Sequence, residues 1–204
     1  MTMIDKLILP VESYRVGGYA FGERIRRRFG VPAIHLGEDV LAAAGTAVAA
    51  IGEGDVVLAC TLPGSEKKKS WGGLVIIQHQ SESAWSTEVH HAQMNESQQQ
   101  RGQSPHKTQN IKQHEVFYSI YGHLGGLRVE EGEAVAGGQP VGAVAPALTA
   151  ENGWWQQVHL HFAIYTGSWT GAVLPGWWRP EQFWRTRLSY WQAPKTFIEK
   201  LNLV

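Results

Sequence analysis

The stretch Val158-His159-Leu160-His161-Phe162-Ala163-Ile164-Tyr165 decides the fold, because every second residue in it is apolar. In a strand, successive side chains point to opposite faces, so Val158, Leu160, Phe162 and Ile164 form one row, and His159, His161, Ala163 and Tyr165 form the other. The first row predicts a strand packed on a core. The second sets two imidazoles about 7 Å apart along the chain, a separation that suits one metal ligand beside one acid/base group. A polar strand face open to water would carry the same pair, so its meaning depends on the rest of the chain.

Outward from this strand, further strands are predicted. Val116-Phe117-Tyr118-Ser119-Ile120-Tyr121-Gly122-His123-Leu124 alternates again, with Phe117, Ser119, Tyr121 and His123 expected on one face and His123 expected in the cleft of His159 and His161. Asp55-Val56-Val57-Leu58-Ala59 and Leu74-Val75-Ile76-Ile77-Gln78 are short Val- and Ile-rich runs separated by Pro63-Gly64 and Gly72-Gly73, the pattern of strands between turns. Gly132-Glu133-Ala134-Val135-Ala136 echoes Gly45-Thr46-Ala47-Val48-Ala49, and each is followed by a glycine turn and another Val-rich run, which predicts an internally duplicated sheet. Further upstream, Ile34-His35-Leu36-Gly37-Glu38-Asp39-Val40 places a histidine and an aspartate four apart. They can converge on one metal if the backbone turns at Gly37, and the chain has only two other aspartates, Asp5 and Asp55.

Composition narrows the function classes. The 204 residues, 43% of them hydrophobic, suffice for one domain with a full core. Lys plus Arg and Asp plus Glu both number 18, so no global field exists to hold nucleic acid or an anionic membrane. A single cysteine, Cys60, excludes a disulfide framework and a multi-cysteine zinc cluster, so any metal falls to His, Asp and Glu. The first 28 residues carry scattered charges and no apolar run of the length a signal peptide or membrane span needs, and no export route is visible.

The flanks differ from this centre. Residues 1–30 are expected to be an irregular lead-in, with Arg24, Arg26, Arg27 and Arg28 as a solvated face. Residues 81–115 contain Gln98-Gln99-Gln100 and the histidines His90, His91, His106 and His114 in a polar setting, and are expected to form a mobile insertion between strands. Lys67, Lys68 and Lys69 are expected to keep a connecting loop solvated. In the tail, residues 167–204, Trp169, Trp177, Trp178, Trp184 and Trp191 stand among prolines and are expected to pack a C-terminal extension onto the sheet rather than to stack on a sugar. Pro194-Lys195-Thr196-Phe197-Ile198-Glu199-Lys200-Leu201 reads as a short closing helix with Phe197, Ile198 and Leu201 on one side.

His35-x3-Asp39, Tyr121-Gly122-His123-Leu124 and His159-Leu160-His161-Phe162, in this order around the two Gly-x-Ala-Val-Ala segments, resemble the lysostaphin-type zinc metallopeptidases, peptidoglycan endopeptidases built on the duplicated hybrid motif. The resemblance covers residues 31–166 apart from the polar insertion. It implies a mainly β fold in which antiparallel sheets form a groove, one Zn2+ per chain, and a peptidoglycan stem peptide or cross-bridge as the partner. It further implies His35, Asp39 and His161 as metal ligands, with His123 and His159 as the catalytic pair. Three protein ligands leave an open fourth position, the pattern of a catalytic zinc. Where many relatives have a glycine and threonine turn before the His-x-His pair, this chain has Glu151-Asn152-Gly153-Trp154-Trp155-Gln156-Gln157. Two other classes are weighed: a non-catalytic module of the same fold that regulates a cell-wall hydrolase, and a sugar-transport phosphocarrier, which has no use for Asp39.

Overall fold

The computed structural model describes residues 6–26, 32–81, 115–182 and 184–203. Most of the predicted insertion, with His90, His91, His106 and His114, lies outside these residues, as do Arg27 and Arg28. Two antiparallel sheets carry the chain. Nine strands make the larger: β3 (Glu38–Val40), β4 (Ala47–Ala49), β5 (Gly54–Leu62), β6 (Gly72–Ser81), β7 (Glu115–Gly125), β8 (Ala134–Val135), β9 (Pro140–Val144), β10 (Leu160–Tyr165) and β12 (Trp191–Gln192). The smaller holds β2 (Pro32–His35) between β1 (Arg24–Arg26) and β11 (Trp177–Trp178). One α-helix, α1 (Pro194–Leu201), closes the chain.

The strand that opened the sequence reading is β10, and both of its faces are buried. Leu160, Phe162 and Ile164 join the main core, with Val56, Val75, Ile77, Tyr121 and Leu124 among its members, and Val158 packs on its edge. Ala163 and Tyr165 point the other way, into a second cluster with Leu36, Leu74, Ile76 and Trp191. The alternation therefore separates two apolar layers, and the face of the histidines is not open to water. β10 also has sheet neighbours on both edges: β7 on one, β3 and β12 on the other.

The five-residue repeat is a real structural repeat. Gly45 and Gly132 have φ of 86° and 88°, a left-handed conformation that glycine adopts without strain. The Gly45 amide donates to the Val144 carbonyl and the Val144 amide donates back to Thr46; the Gly132 amide donates to Val56 and the Val56 amide donates back to Glu133. The same turn is thus locked in the same way against β9 in one copy and β5 in the other.

The flanks are built into the body. The lead-in is irregular as far as Glu23, but Leu7 and Val11 are buried in the main core and Arg24–Arg26 pairs with β2. The tail meets it where Asn202 Nδ2 donates to the Leu7 carbonyl at 2.8 Å and the Leu7 amide donates to Asn202 Oδ1 at 2.9 Å. Helix α1 spans the predicted residues, buries Ile198 and packs Phe197 and Leu201 on the main core.

Candidate metal centre and active site

β10 and β3 bring His161 directly opposite Asp39. The chain leaves the small sheet at His35, turns through Leu36-Gly37 and enters the large sheet at Glu38, so the two sheets meet at this residue quartet. The turn needs Gly37: a Cβ there would lie 2.6 Å from the Phe162 carbonyl oxygen and 2.7 Å from His161 Nε2. The outcome is a triangle of donor atoms. Asp39 Oδ1 stands 3.1 Å from His161 Nδ1 and 3.3 Å from His35 Nε2, and the two imidazole nitrogens are 3.1 Å apart.

These separations fit a metal. Donors about 2.0–2.1 Å from a tetrahedral zinc stand about 3.3 Å from one another. The charge states fit as well. Burial alone would raise the Asp39 carboxyl, but hydrogen bonds and charge attraction from His161 and His35 outweigh it and hold the group well below the usual carboxylate range. Burial pushes His161 down to about 4 against the opposing hydrogen bond to Asp39. One carboxylate and neutral imidazoles are the donor set that zinc prefers. His35 turns Nε2 toward the triangle because its Nδ1–H donates to the Ala20 carbonyl at 3.3 Å. Asp39 is held from behind by the Tyr19 amide, which reaches Oδ2 at 3.3 Å, and by the Gly17 and Gly18 amides on its carbonyl. No sequence signal marked that support, because residues 17–19 are irregular backbone whose contribution is made by peptide groups.

His159 and His123 stand beside the triangle. His159 Nδ1–H donates to the Gln157 carbonyl at 3.0 Å, so Nε2 is the nitrogen that faces inward, 3.7 Å from Asp39 Oδ1. The His123 ring is 4.5 Å from that of His159, and its buried Nδ1 has no hydrogen-bond partner. Burial first, then the neighbouring His159 and His161, pushes His123 well below the ordinary histidine value.

The route by which His123 arrives differs from the strand alternation. Phe117 and Tyr121 face the main core as expected, but His123 does not share their face. A bulge sets Gly73 opposite Leu124 and Leu74 opposite Gly122, and His123, the extra residue, takes φ of 65°. The main-core position next in line goes to Leu124, and His123 turns to the histidine side. Its backbone stays paired, with the amide donating to Trp71 and the carbonyl accepting from Ala145.

All five sequence-derived residues, His35, Asp39, His123, His159 and His161, line one cleft of about 480 Å³. Its walls were not foreseen. Trp71 lies over Gly122, where a Cβ would be 2.5 Å from the indole, and its ring meets His161 edge-on at 4.9 Å. Trp155 comes from the Glu151–Gln157 segment that replaces the common turn, and its Nε1–H donates to the Ser70 carbonyl at 2.9 Å. That segment docks through backbone so closely that a Cβ on Gly72 would be 1.8 Å from the Glu151 oxygen. The tryptophans of the tail divide. Trp178 and Trp191 pack with their N–H groups satisfied at Thr186, whereas Trp177 pairs with β2 opposite His35, its ring 4.5 Å from the imidazole, as cleft wall. Lys69 also lines the cleft instead of serving only to solvate its loop.

With fold and site described, the architecture is that of the lysostaphin-type peptidases. It is similar to a zinc-containing peptidase from Vibrio cholerae, with 20% identity, 79% of this chain and 37% of that chain covered, and a TM-score of 0.50. It is likewise similar to lysostaphin, an antimicrobial peptidase from Staphylococcus simulans (20% identity, 93% and 52%, TM-score 0.50), and to LytU (18% identity, 96% and 92%, TM-score 0.50). The chain thus spans about a third and about half the length of the first two. No protein-family model and no curated protein sequence matches the chain.

Proposed function

We propose that this chain is a zinc-dependent endopeptidase of the lysostaphin type that cleaves peptide bonds in peptidoglycan stem peptides or cross-bridges. The observation that carries the reading is the triangle of His35 Nε2, Asp39 Oδ1 and His161 Nδ1, with His159 Nε2 directed at the same point. The fold shared with the Vibrio zinc-containing peptidase and with lysostaphin supports it.

In this reading His35, Asp39 and His161 hold one zinc ion. Zinc at such a site supplies a Lewis acid that brings the pKa of water to about 7 and polarises a carbonyl. The chain supplies the rest. His159 Nε2, aimed inward by the Nδ1–H bond to Gln157, accepts the proton of the attacking water and can return it to the leaving amine. His123, whose buried Nδ1 has no partner among the described residues, helps to orient the attacking water beside His159. Trp71, Trp155 and Trp177 exclude water and so strengthen each of these interactions.

The test joins metal content, by elemental mass spectrometry, to hydrolysis of peptidoglycan fragments. The protein is expected to bind about one zinc per chain and to release a new amine. His161→Ala is expected to lose both. His159→Gln is expected to keep the zinc and lose roughly 100-fold or more in rate. Zinc absent from the wild-type protein after incubation with the metal would sink the reading and favour a binding module of the same fold.

A further inference from the structure

Asp39 is the one carboxylate among the described residues lining the cleft, and it is engaged by His35 and His161. Every other charged side chain of the lining is a cation. Lys69 comes from the loop between β5 and β6; Arg179 and Arg185 come from the segment that follows β11. None of the three is in an ion pair among the described residues. The Nε–H of Arg179 is buried without an acceptor. Among the described residues Lys69 Nζ reaches the Glu66 carbonyl, at 3.4 Å, and the Arg185 guanidinium stands over the Trp184 ring at 5.9 Å.

A buried guanidinium N–H with no acceptor costs free energy unless a ligand supplies one. Three cations with no ion-pair partner among the described residues, in a cleft walled by tryptophan rings, concentrate positive potential where a substrate enters. Neutral peptide backbone offers nothing to balance it, whereas a carboxylate offers two oxygens that match the guanidinium fork.

We propose that Arg179 and Arg185, with Lys69 in the same lining, form a carboxylate-binding subsite, and that the substrate is a peptide bearing a free carboxylate close to the scissile bond. The proposal rests on the peptidase reading and adds the charge of its substrate. The subsite anchors the carboxylate at the lip and so selects which amide is presented to His159, a gain in orientation rather than in bond-making. The carboxylate is that of a chain terminus or of an acidic side chain, and the two are separable by experiment.

Three probes decide it: acetyl-Ala-Ala-Ala with a free C-terminus, the same peptide as its C-terminal amide, and acetyl-Ala-Glu-Ala amide. Each is titrated calorimetrically into the zinc-saturated full chain and into the R179Q/R185Q double variant. The wild-type protein is expected to bind at least one acidic probe roughly tenfold or more tighter than the neutral amide, as charge-assisted pairing predicts. A preference for the first acid identifies a terminal carboxylate, and a preference for the second a side chain. In the double variant the preference is expected to fall below about twofold, and R179K/R185K is expected to recover part of it. Should the double variant fail to fold, raising salt on the wild-type protein reads the same quantity, because pairing at an open lip must weaken as the Debye length shrinks. Acid and amide bound alike, or neither bound, overturns the proposal. So does a preference that survives in the double variant, since zinc itself would then be holding the carboxylate. Hydrolysis of the same peptides is followed separately: cleavage without acid preference leaves the peptidase reading standing and this one fallen, and acid preference without cleavage keeps the carboxylate subsite but overturns the peptidase reading and, with it, the scissile bond.

Discussion

Gly37 is the residue on which the centre is most exposed to a single change. Its missing Cβ is the space in which the Phe162 carbonyl and the His161 ring lie. Gly37→Ala is expected to destabilise the protein by about 1–3 kcal/mol, as overpacking does, and also to tilt His161 and weaken zinc binding. Urea unfolding and a zinc titration read the two effects separately. A variant with reduced stability but unchanged zinc affinity would show that the glycine serves the β10 backbone and not the ligand. The residue scale was partly legible in the sequence. His35, Asp39, His159 and His161 announced themselves by type and spacing, and Gly37 as a turn between two of them. Tyr19 did not, because its amide rather than its side chain holds Asp39.

At the scale of elements, β7 carries two devices that alternation alone does not reveal. One is the bulge that sends His123 to the metal side. The other is a buried polar chain beneath the main core. His79 Nδ1–H donates to the Glu53 carbonyl at 2.7 Å, and its Nε2 accepts from Ser119 Oγ at 2.7 Å. Ser119 bonds the Tyr121 hydroxyl at 3.0 Å, and that hydroxyl accepts from the Ile51 amide. The chain closes only with His79 neutral, since a second ring proton would leave the Tyr121 hydroxyl proton without an acceptor. Burial pushes His79 down to about 4 against the Glu53 hydrogen bond, from an ordinary value of 6.5. The folded value lies below the unfolded one, so the unfolded chain binds the extra proton first as pH falls. Stability is therefore full above about pH 6.5 and declines by about 1.4 kcal/mol per pH unit, to a loss of about 3 kcal/mol near pH 4. The difference in urea unfolding free energy between wild type and His79→Gln, followed from pH 7.5 to 4, should show this slope, because the depressed His123 and His161 add to both profiles alike. Parallel profiles for the two proteins would contradict the assignment.

On the scale of the whole molecule, the triangle of His35, Asp39 and His161 is where the two sheets converge. β2 brings His35 from the small sheet, held between β1 of the lead-in and β11 of the tail; β3 and β10 bring Asp39 and His161 from the large one. An ion bound there ties the sheets together and binds the folded state alone. At 100 times its dissociation constant it contributes about 2.7 kcal/mol. For a chain of this size that corresponds to a rise in Tm of roughly 5–10 °C. Calorimetry with and without a chelator is expected to show the shift, and His161→Ala is expected to abolish it. An unchanged Tm in the wild-type protein would mean that the triangle is closed by its hydrogen bonds and holds no ion.

The sequence by itself determined the longer strands, the duplicated turn and the closing helix, because each rests on local periodicity or on turn glycines, and the five residues of the cleft were picked out by type and spacing together with a family resemblance. The tertiary structure alone decided the rest: that both faces of β10 are buried, that His123 crosses to the metal side, and that Trp71, Trp155, Trp177, Lys69, Arg179 and Arg185 wall the cleft. Those features depend on which distant segments meet. A bulge is set by the register between two strands, and a wall by the docking of loops far apart in the chain. Neither leaves a periodic trace in the residues that form it.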